Sequence, residues 1–315
     1  MQTGHPATYD DVQKLHPLYF NIVKKRFWWF AISLIVIIPG IISLVMQGLN
    51  LGIDFKGGTM LDVTFKKAVT QAAITDTMKS VGLEGIVQLS TGDTAALIRT
   101  EALEEGKRNE LLTALQTKVG EYDKTLLKEA KVGPAMGQEL TRNALYALII
   151  AMGMMIIYIT FRFQFVYAIS GIIALLHDVL VVVGIFSLFQ WEIDSTFVAA
   201  VLTIVGYSIN DTVIIFDRIR ENEAKMKRAD AYEDMVDKSI WQTMRRSINT
   251  VVTVLIALLS VFVLGGESTR MFALAMLIGV FSGAYSSIFI ASQVLVEVKK
   301  YFKKAPRKGG KAVRT

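Results

Sequence analysis

Six long apolar runs limit what this chain can fold into more than any other feature of its sequence. Each run carries no Lys or Arg and at most one acidic residue. A helix needs about 20 mostly apolar residues to cross the hydrocarbon core of a bilayer, whereas a soluble bundle would show a polar face at every turn. Apolar residues make up 52% of the 315 positions and charged residues 20%, which supports the membrane interpretation. We therefore predict an α-helical polytopic membrane protein with six transmembrane helices, formed by Trp28–Met46, Asn143–Phe161, Phe163–Trp191, Ser195–Phe216, Ser247–Gly266 and Met271–Val296.

Basic residues collect on one side of the predicted helices. Lys24, Lys25 and Arg26 precede the first run, and the tail from Lys299 has no acid, whereas segment 47–139 holds more acids than bases. Because cytoplasmic segments carry the excess of Lys and Arg, we expect both termini in the cytoplasm. The predicted division is a cytoplasmic segment 1–26, a transmembrane helix 27–46, an extracytoplasmic domain 47–139, transmembrane helices 2–6 within 140–298 with an amphipathic cytoplasmic loop 217–246, and a basic cytoplasmic tail 299–315.

The segment between the first and second runs is long enough for one small domain. Its apolar residues follow strand-like and helix-like patterns in the order β-α-β-β-α-β, which is that of a ferredoxin-like fold. We expect this α+β domain to lie outside the cell membrane within a 1+5 arrangement of helices. It has no Cys or His, so a protein-binding or capping role is favoured over catalysis. The strands are predicted at Met60–Lys66, Ile86–Ser90, Thr94–Thr100 and Thr125–Val132, and the helices at Gln71–Val81 and Glu105–Val119.

Asp211 lies inside the fourth run, and Arg246 lies at the start of the fifth. An ionisable residue in a transmembrane helix is costly and is by default a functional candidate. A carboxyl group in such surroundings is able to take up and release a proton near neutral pH unless a cation holds it ionised, and Arg246 could be that cation. We predict a proton relay by Asp211 and Arg246. The alternative is that Asp211 only hydrogen-bonds to a neighbouring helix. Asn210 points some 100° away from Asp211, so only one of the two can face a given neighbour.

His177 and Asp178 form a second polar pair, near the middle of the third run. They are candidates for relay or for helix-packing support. Adjacent residues on a helix cannot chelate one metal from the same face. The chain has three His, no Cys and no H-E-x-x-H motif, so we expect no metal site. An aspartyl protease is disfavoured because the G-x-G-D pattern does not precede Asp211. We therefore expect a protein without hydrolytic chemistry.

Glycines indicate two further structural features. Gly57 and Gly58 follow the first run and favour a tight turn into the domain. Gly279 and Gly283 form a G-x-x-x-G pair in the sixth run, a pattern typical of close helix packing. We expect this packing to be within the chain rather than with a partner.

Several motifs resemble, in order, those of the SecF branch of the SecD/SecF family, within the resistance–nodulation–division (RND) superfamily. They extend from about residue 52 to residue 291. The motif residues are Gly52, Asp54, Phe55, Gly57 and Gly58 in G-I-D-F-K-G-G; Gly133, Pro134 and Gly137 in V-G-P-A-M-G; His177-Asp178-Val179; Gly206–Glu221 (G-Y-S-I-N-D-T-V-I-I-F-D-R-I-R-E); Gln242, Thr243 and Arg246; and Gly283–Ala291.

The resemblance implies a multi-pass protein of the bacterial cytoplasmic (inner) membrane that acts with SecD as an accessory to the Sec translocon. It implies use of the proton motive force to promote preprotein translocation, with protons as the coupling ion and no cofactor. The residues that match Asp211 and Arg246 serve proton transfer in this family. The implied partners are SecD, the channel proteins SecY, SecE and SecG, YajC and YidC as further candidates, unfolded preprotein on the extracytoplasmic side, and membrane lipid, with no nucleic acid expected. Two alternatives stay open, an RND-type proton-driven half-transporter for a small or lipidic substrate and a purely structural scaffold.

Overall fold

The computed structural model describes residues 19–89, 92–226 and 230–304. Its helices are α1 Arg26–Met46, α2 Ile53–Lys56, α3 Gln71–Ser80, α4 Glu105–Lys118, α5 Pro134–Arg162, α6 Phe165–Leu188, α7 Ser195–Ala224, α8 Tyr232–Leu264, α9 Glu267–Ser286 and α10 Ser292–Lys304, with a π-helical turn at Ser287–Ala291 between the last two. Its strands are β1 Gly58–Thr64, β2 Gly85–Leu89, β3 Ala95–Thr100 and β4 Lys128–Val132. His5, His16, Ser90, Thr91 and the tail beyond Lys304 lie outside the described residues.

The predicted number of transmembrane helices is confirmed by length and composition. Within the described residues, six helical segments are long and apolar enough to cross a membrane: Arg26–Met46, Ala135–Arg162, Phe165–Leu188, Ser195–Ala224, Tyr232–Leu264 and Thr269–Phe302. The outer faces of α5 and α8 expose large apolar side chains such as Ile149, Phe161, Ile256 and Leu264. A continuous apolar surface of this kind is stable only against lipid or another protein.

The chain divides into two compact units. The sheet unit comprises residues 49–147 and 190–198, and the helical unit comprises the described residues 19–48, 148–189 and 199–304. Helices α5 and α7 each begin in the sheet unit and continue into the helical unit.

The sheet unit contains a four-stranded antiparallel sheet in the order β2-β3-β1-β4. Leu61 on β1 lies opposite Ile98 on β3 and Glu129 on β4. Alternate β1 residues point into the core, as the two-residue period of a strand requires. Their partners come from α3 and α4, and the fully buried core side chains include Leu61, Val63, Ile74, Met78, Ile98, Leu111 and Leu115. Each strand and helix expected in this unit overlaps an observed one, whereas the short helix α2 was not expected.

Glycine contacts bring the helices of the helical unit close together. A Cβ on Gly40 of α1 would lie 2.7 Å from Cα of Gly184 on α6. On α9, a Cβ at Gly279 would overlap the Ile204 side chain of α7, and one at Gly283 would lie 3.0 Å from Cβ of Ser208. The G-x-x-x-G pair therefore faces another helix of the same chain.

Most of the amphipathic segment 217–246 is helical, because α7 continues to Ala224 and α8 begins at Tyr232. Ile240 and Trp241 are buried there, so this part of α8 packs against protein. The sixth transmembrane segment contains a π-helical turn that no sequence pattern indicated, and π turns occur frequently at functional sites.

Candidate functional site

Asp211 is a buried carboxylate on α7 with unequal surroundings for its two oxygens. Its side chain is 8% exposed. Oδ1 accepts a hydrogen bond of 2.6 Å from Oγ of Ser247 on α8. Oδ2 is buried, and no donor in the described part of the chain reaches it. A buried carboxylate is stable when charged only if its lone pairs are satisfied, so Oδ2 is the atom at which a proton would bind.

Arg246, the expected cation, immediately precedes Ser247 on α8. Its side chain is exposed, and it forms no ion pair with Asp211. It is nevertheless close enough for a Coulombic interaction with that carboxylate. The arrangement is therefore a direct serine contact with a cation nearby.

Two neighbours of Asp211 on α7 are placed very differently. Asn210 is exposed, so the structure does not bring it into the site. Tyr207 lies one helical turn before Asp211, and its buried hydroxyl also has no hydrogen-bond partner among the described residues. Residues four apart share a helix face, so Tyr207 adds a polar group that sequence reasoning missed. Gly206 is exposed, and a Cβ there would meet no neighbour.

Asp178 on α6 is the centre of a second, separate cluster, and its side chain is 1% exposed. Oδ2 accepts hydrogen bonds from Ser208 at 2.6 Å and from Ser286 at 2.7 Å. Oδ1 accepts from Ser282 at 2.7 Å and contacts Nδ1 of His177 at 3.0 Å. Both oxygens are therefore satisfied as acceptors.

His177 connects this cluster to α1. Its Nε2 lies 3.0 Å from Oγ of Ser33, and its ring stacks on Tyr285 at 5.8 Å between centroids. Tyr285 in turn donates to the carbonyl of Trp29 at 2.8 Å. In the tautomer that donates from Nδ1 to Asp178, Nε2 accepts from the serine.

A cavity of about 550 Å³ opens beside His177 among α1, α6, α8 and α9. Apolar residues such as Val36, Leu255 and Phe281 form most of its wall. Ser33, His177, Ser282 and Tyr285 also border it, with their polar atoms engaged in the contacts described above. The Asp178 cluster therefore borders a space within the helical unit, whereas Asp211 does not line it.

The hydroxyl groups of both clusters were not predicted as site residues. Ser208, Ser247, Ser282 and Ser286 lie in apolar runs, where hydroxyl side chains usually join helices. The presence of serines in otherwise apolar runs is the sequence signal that could have indicated them. Between the clusters, Thr212 and Ser287 place their hydroxyl oxygens 2.8 Å apart.

Among the described residues, no group of three His, Cys, Asp or Glu could hold a metal ion.

Three of the motif glycines in the sheet unit have backbone angles or contacts that favour glycine. Gly57 and Gly58 have φ angles of +80° and +150°, which other residues rarely adopt. A Cβ on Gly137 would lie 2.5 Å from the carbonyl oxygen of Phe55, whose side chain is buried. Gly133 has open space around it and directly precedes Pro134, the first residue of α5.

Two family models match the chain. Residues 112–301 match the family described as protein export membrane protein SecD/SecF, C-terminal. Residues 42–69 match the SecD/SecF GG motif. The first match contains Asp178, Asp211 and Arg246, and the second contains Gly57 and Gly58.

The chain is also similar along most of its length to proteins named protein translocase subunit SecF. The Sebaldella termitidis protein is 41% identical over 303 residues, which cover 94% of this chain and 97% of that protein. The Alicyclobacillus acidocaldarius protein is 40% identical over 299 residues, covering 93% and 97%. The Haemophilus influenzae protein is 35% identical over 289 residues, covering 88% and 86%.

A solved structure has the same fold. The crystal structure of SecDF, a translocon-associated membrane protein from Thermus thermophilus, superposes with a TM-score of 0.81 at 34% sequence identity. The match covers 89% of this chain and 39% of the SecDF chain, so this chain spans well under half the length of that protein. A super-membrane-facing form of SecDF gives a TM-score of 0.68.

Proposed function

The chain belongs to the SecD/SecF family of protein export membrane proteins, and from that premise we propose that it uses the proton motive force to promote preprotein translocation. In this proposal it acts with SecD as an accessory of the Sec translocon. Its similarity to proteins named translocase subunits, and to a SecDF described as translocon-associated, supports translocation over export of a small or lipidic substrate.

The observation that carries the proposal is the buried Asp211 carboxylate. It lies in a candidate transmembrane helix, where an acid is costly to keep. One oxygen has a hydroxyl donor and the other has no partner in the described part of the chain. We assign proton uptake to Oδ2, with Ser247 holding the carboxyl group in place and Arg246 favouring its charged form.

Proton binding at Asp211 would remove the charge that attracts Arg246. The contact between α7 and α8 would then weaken, and the two helices could repack. Moving one charge through 100 mV is worth about 2.3 kcal/mol, whereas reversing a two-state population from 1:99 to 99:1 takes about 5.5 kcal/mol. A single proton therefore biases the change, and repeated cycles or a preprotein must supply the rest.

Asp178 has a different part in the proposal. Its four hydrogen-bond contacts come from residues on α6, α7 and α9. We assign it, with His177, to holding α6, α7 and α9 together while the Asp211 contact changes. The two acids are thus one proton site and one fixed anchor.

We further propose the 1+5 arrangement, the ferredoxin-like identity of the sheet unit and a cytoplasmic location for both termini in the inner membrane. The strand order and the order of helices along the chain support the first two. The positions of the basic residues support the third. In this orientation the sheet unit meets unfolded preprotein as it leaves a channel of SecY, SecE and SecG, with YajC and YidC as further candidate partners.

The proposal is tested by replacing Asp211 with Asn in cells that lack the wild-type chain. Asn has the same shape and can still accept from Ser247, so we expect normal amounts of protein bound to SecD. Export driven by the proton gradient should fall to the level without the chain. Asp217→Asn, on the same helix but half exposed, is the matched control. Wild-type export by the Asp211 variant would overturn the proposal.

A further inference from the structure

Within the sheet unit, the chain just after α1 is bonded to the loop between α6 and α7. Gly52 N donates to the carbonyl of Ile193 at 2.8 Å, and Ile193 N donates to the carbonyl of Asn50 at 2.9 Å. Oδ2 of Asp54 accepts from Ser195 N at 2.8 Å. These bonds join two segments that lie about 140 residues apart in sequence.

A buried ion pair adds the sheet to this connection. Arg99 of β3 pairs with Glu192 of the same loop, and the two side chains are only 17% and 9% exposed. Arg99 also donates to Oε1 of Gln88 on β2 at 3.0 Å. A charge pair this far from water is strongly destabilised when one partner is removed, because the other charge stays buried.

Gly52 leaves space for the carboxylate. A Cβ at this position would lie 2.6 Å from Oε1 of Glu192 and 3.1 Å from the carbonyl oxygen of Ile193. No side chain fits there without displacing the ion pair or the backbone bond. We call this group the clasp, and its members are Asn50, Gly52, Asp54, Arg99, Glu192, Ile193 and Ser195.

The clasp is connected through the chain to two of the long helices. The loop that carries Glu192 directly joins α6, which holds Asp178, to α7, which holds Asp211. A movement of α7 against α8 is therefore felt at this loop through the first residue of α7, Ser195. The loop is bonded to β3 and to the chain after α1, within the sheet unit.

We propose that the clasp couples proton-driven repacking of α7 against α8 to the sheet unit, with Arg99 and Glu192 as its positioning residues. This inference rests on the proposed function, because it assigns the step between proton uptake and work on the preprotein. Neither residue takes part in proton transfer itself. Breaking the clasp should therefore separate export from proton flux.

The test compares three variants of the full chain with SecD in membrane vesicles. Arg99→Gln removes the charge and leaves Glu192 buried without its cation. Arg99→Lys keeps the charge but not the planar fork that holds a carboxylate. Lys66→Gln is the control, since it breaks the exposed pair with Glu121 in the same unit, whose side chains are 64% and 67% exposed.

We expect Arg99→Gln to lose proton-driven export while proton flux continues at the wild-type rate. Arg99→Lys should keep part of the export, and Lys66→Gln should keep all of it. If Arg99→Gln does not assemble with SecD, the comparison rests on Arg99→Lys, which should lower export and leave flux unchanged. Export and flux falling together, or neither falling, would overturn the proposal.

Hydrogen exchange of the purified SecD complex separates this inference from the proposed function. In Arg99→Gln the amides of Gly52 and Ile193 should exchange faster than in the wild type, with no gradient present. Absence of proton flux in the wild type would contradict the proposed function. Unchanged exchange at these two amides would contradict the clasp alone.

Discussion

Ser247 donates a hydrogen bond of 2.6 Å to Asp211, and Arg246 is the residue just before it on α8. One turn of helix therefore presents both a donor and a cation to the carboxylate. In the proposed function the charge of Asp211 controls this contact, so that the protonation state of one side chain determines how α7 packs on α8.

Replacing Ser247 with Ala should weaken this contact. The charged form of Asp211 loses its observed donor, at a cost of about 1–3 kcal/mol for a buried unsatisfied group. We expect slower proton flux with SecD in vesicles and a lower midpoint of thermal unfolding. Ser260→Ala on the same helix removes an exposed hydroxyl bonded only to its own helix, and it should behave like the wild type. Equal flux in the two variants would contradict the role of Ser247.

Replacing Asp178 with Asn should destabilise the helical unit, in contrast to the same change at Asp211. The amide nitrogen would face serine hydroxyls that now donate, and we expect a loss of about 1–3 kcal/mol. Thermal unfolding of the detergent-solubilised protein measures it, with Asp211→Asn as the comparison. A midpoint for Asp178→Asn as high as that for Asp211→Asn would show that the cluster is not an anchor.

Replacing Gly279 with Ala should separate α9 from α7. The new Cβ would overlap Ile204, and overpacking of this kind costs about 1–3 kcal/mol. Gly153→Ala is a matched control, because a Cβ there meets no neighbour and Ala favours a helix. We expect thermal unfolding at a lower temperature for the first variant only. A Gly279 variant as stable as the Gly153 variant would contradict the packing.

The clasp should depend on pH through Glu192. Burial raises the pKa of this carboxyl above its ordinary value, and the nearby Asp194 and Asp54 add to the effect, while Arg99 and Lys56 oppose it. When the clasp opens and exposes Glu192 to water, the carboxyl would have the ordinary pKa of a glutamate. Glu192 in the intact clasp therefore binds its proton more tightly than Glu192 exposed to water. The clasp gains stability as the pH falls toward the ordinary pKa of a glutamate. That stability is lost as the pH rises through the raised pKa.

Hydrogen exchange checks this sign after correction for the intrinsic effect of pH. The amides of Gly52 and Ile193 should be better protected at about pH 5 than at about pH 8. Glu192→Gln, which is neutral throughout, should show no such difference. Stronger protection at the higher pH in the wild type would contradict the assignment.

Much of the architecture could be predicted because it depends on local patterns. Uncharged apolar runs indicated the six membrane helices, and alternating residues placed strands such as β1 and β3. Asp211 stood out for a similar reason, since a lone charge in an apolar run is conspicuous without any knowledge of its neighbours.

The partners of Asp211 and Asp178 could not be predicted in the same way. Serines are common in membrane helices, and only the rotation and crossing of the helices decides that Ser208 and Ser286 reach Asp178 while Ser247 reaches Asp211. The pairing of Arg99 with Glu192 joins residues 93 positions apart, and neither lies in an apolar run that would make its charge unusual.

Proton flux in vesicles that hold this chain with SecD is the most direct measurement of the central claim. An inward gradient is imposed, and internal pH is followed for the wild type and for Asp211→Asn. We predict SecD-dependent flux in the wild type and background flux in the variant, with both proteins present in equal amounts. Flux through Asp211→Asn at the wild-type rate would contradict a proton site at Asp211.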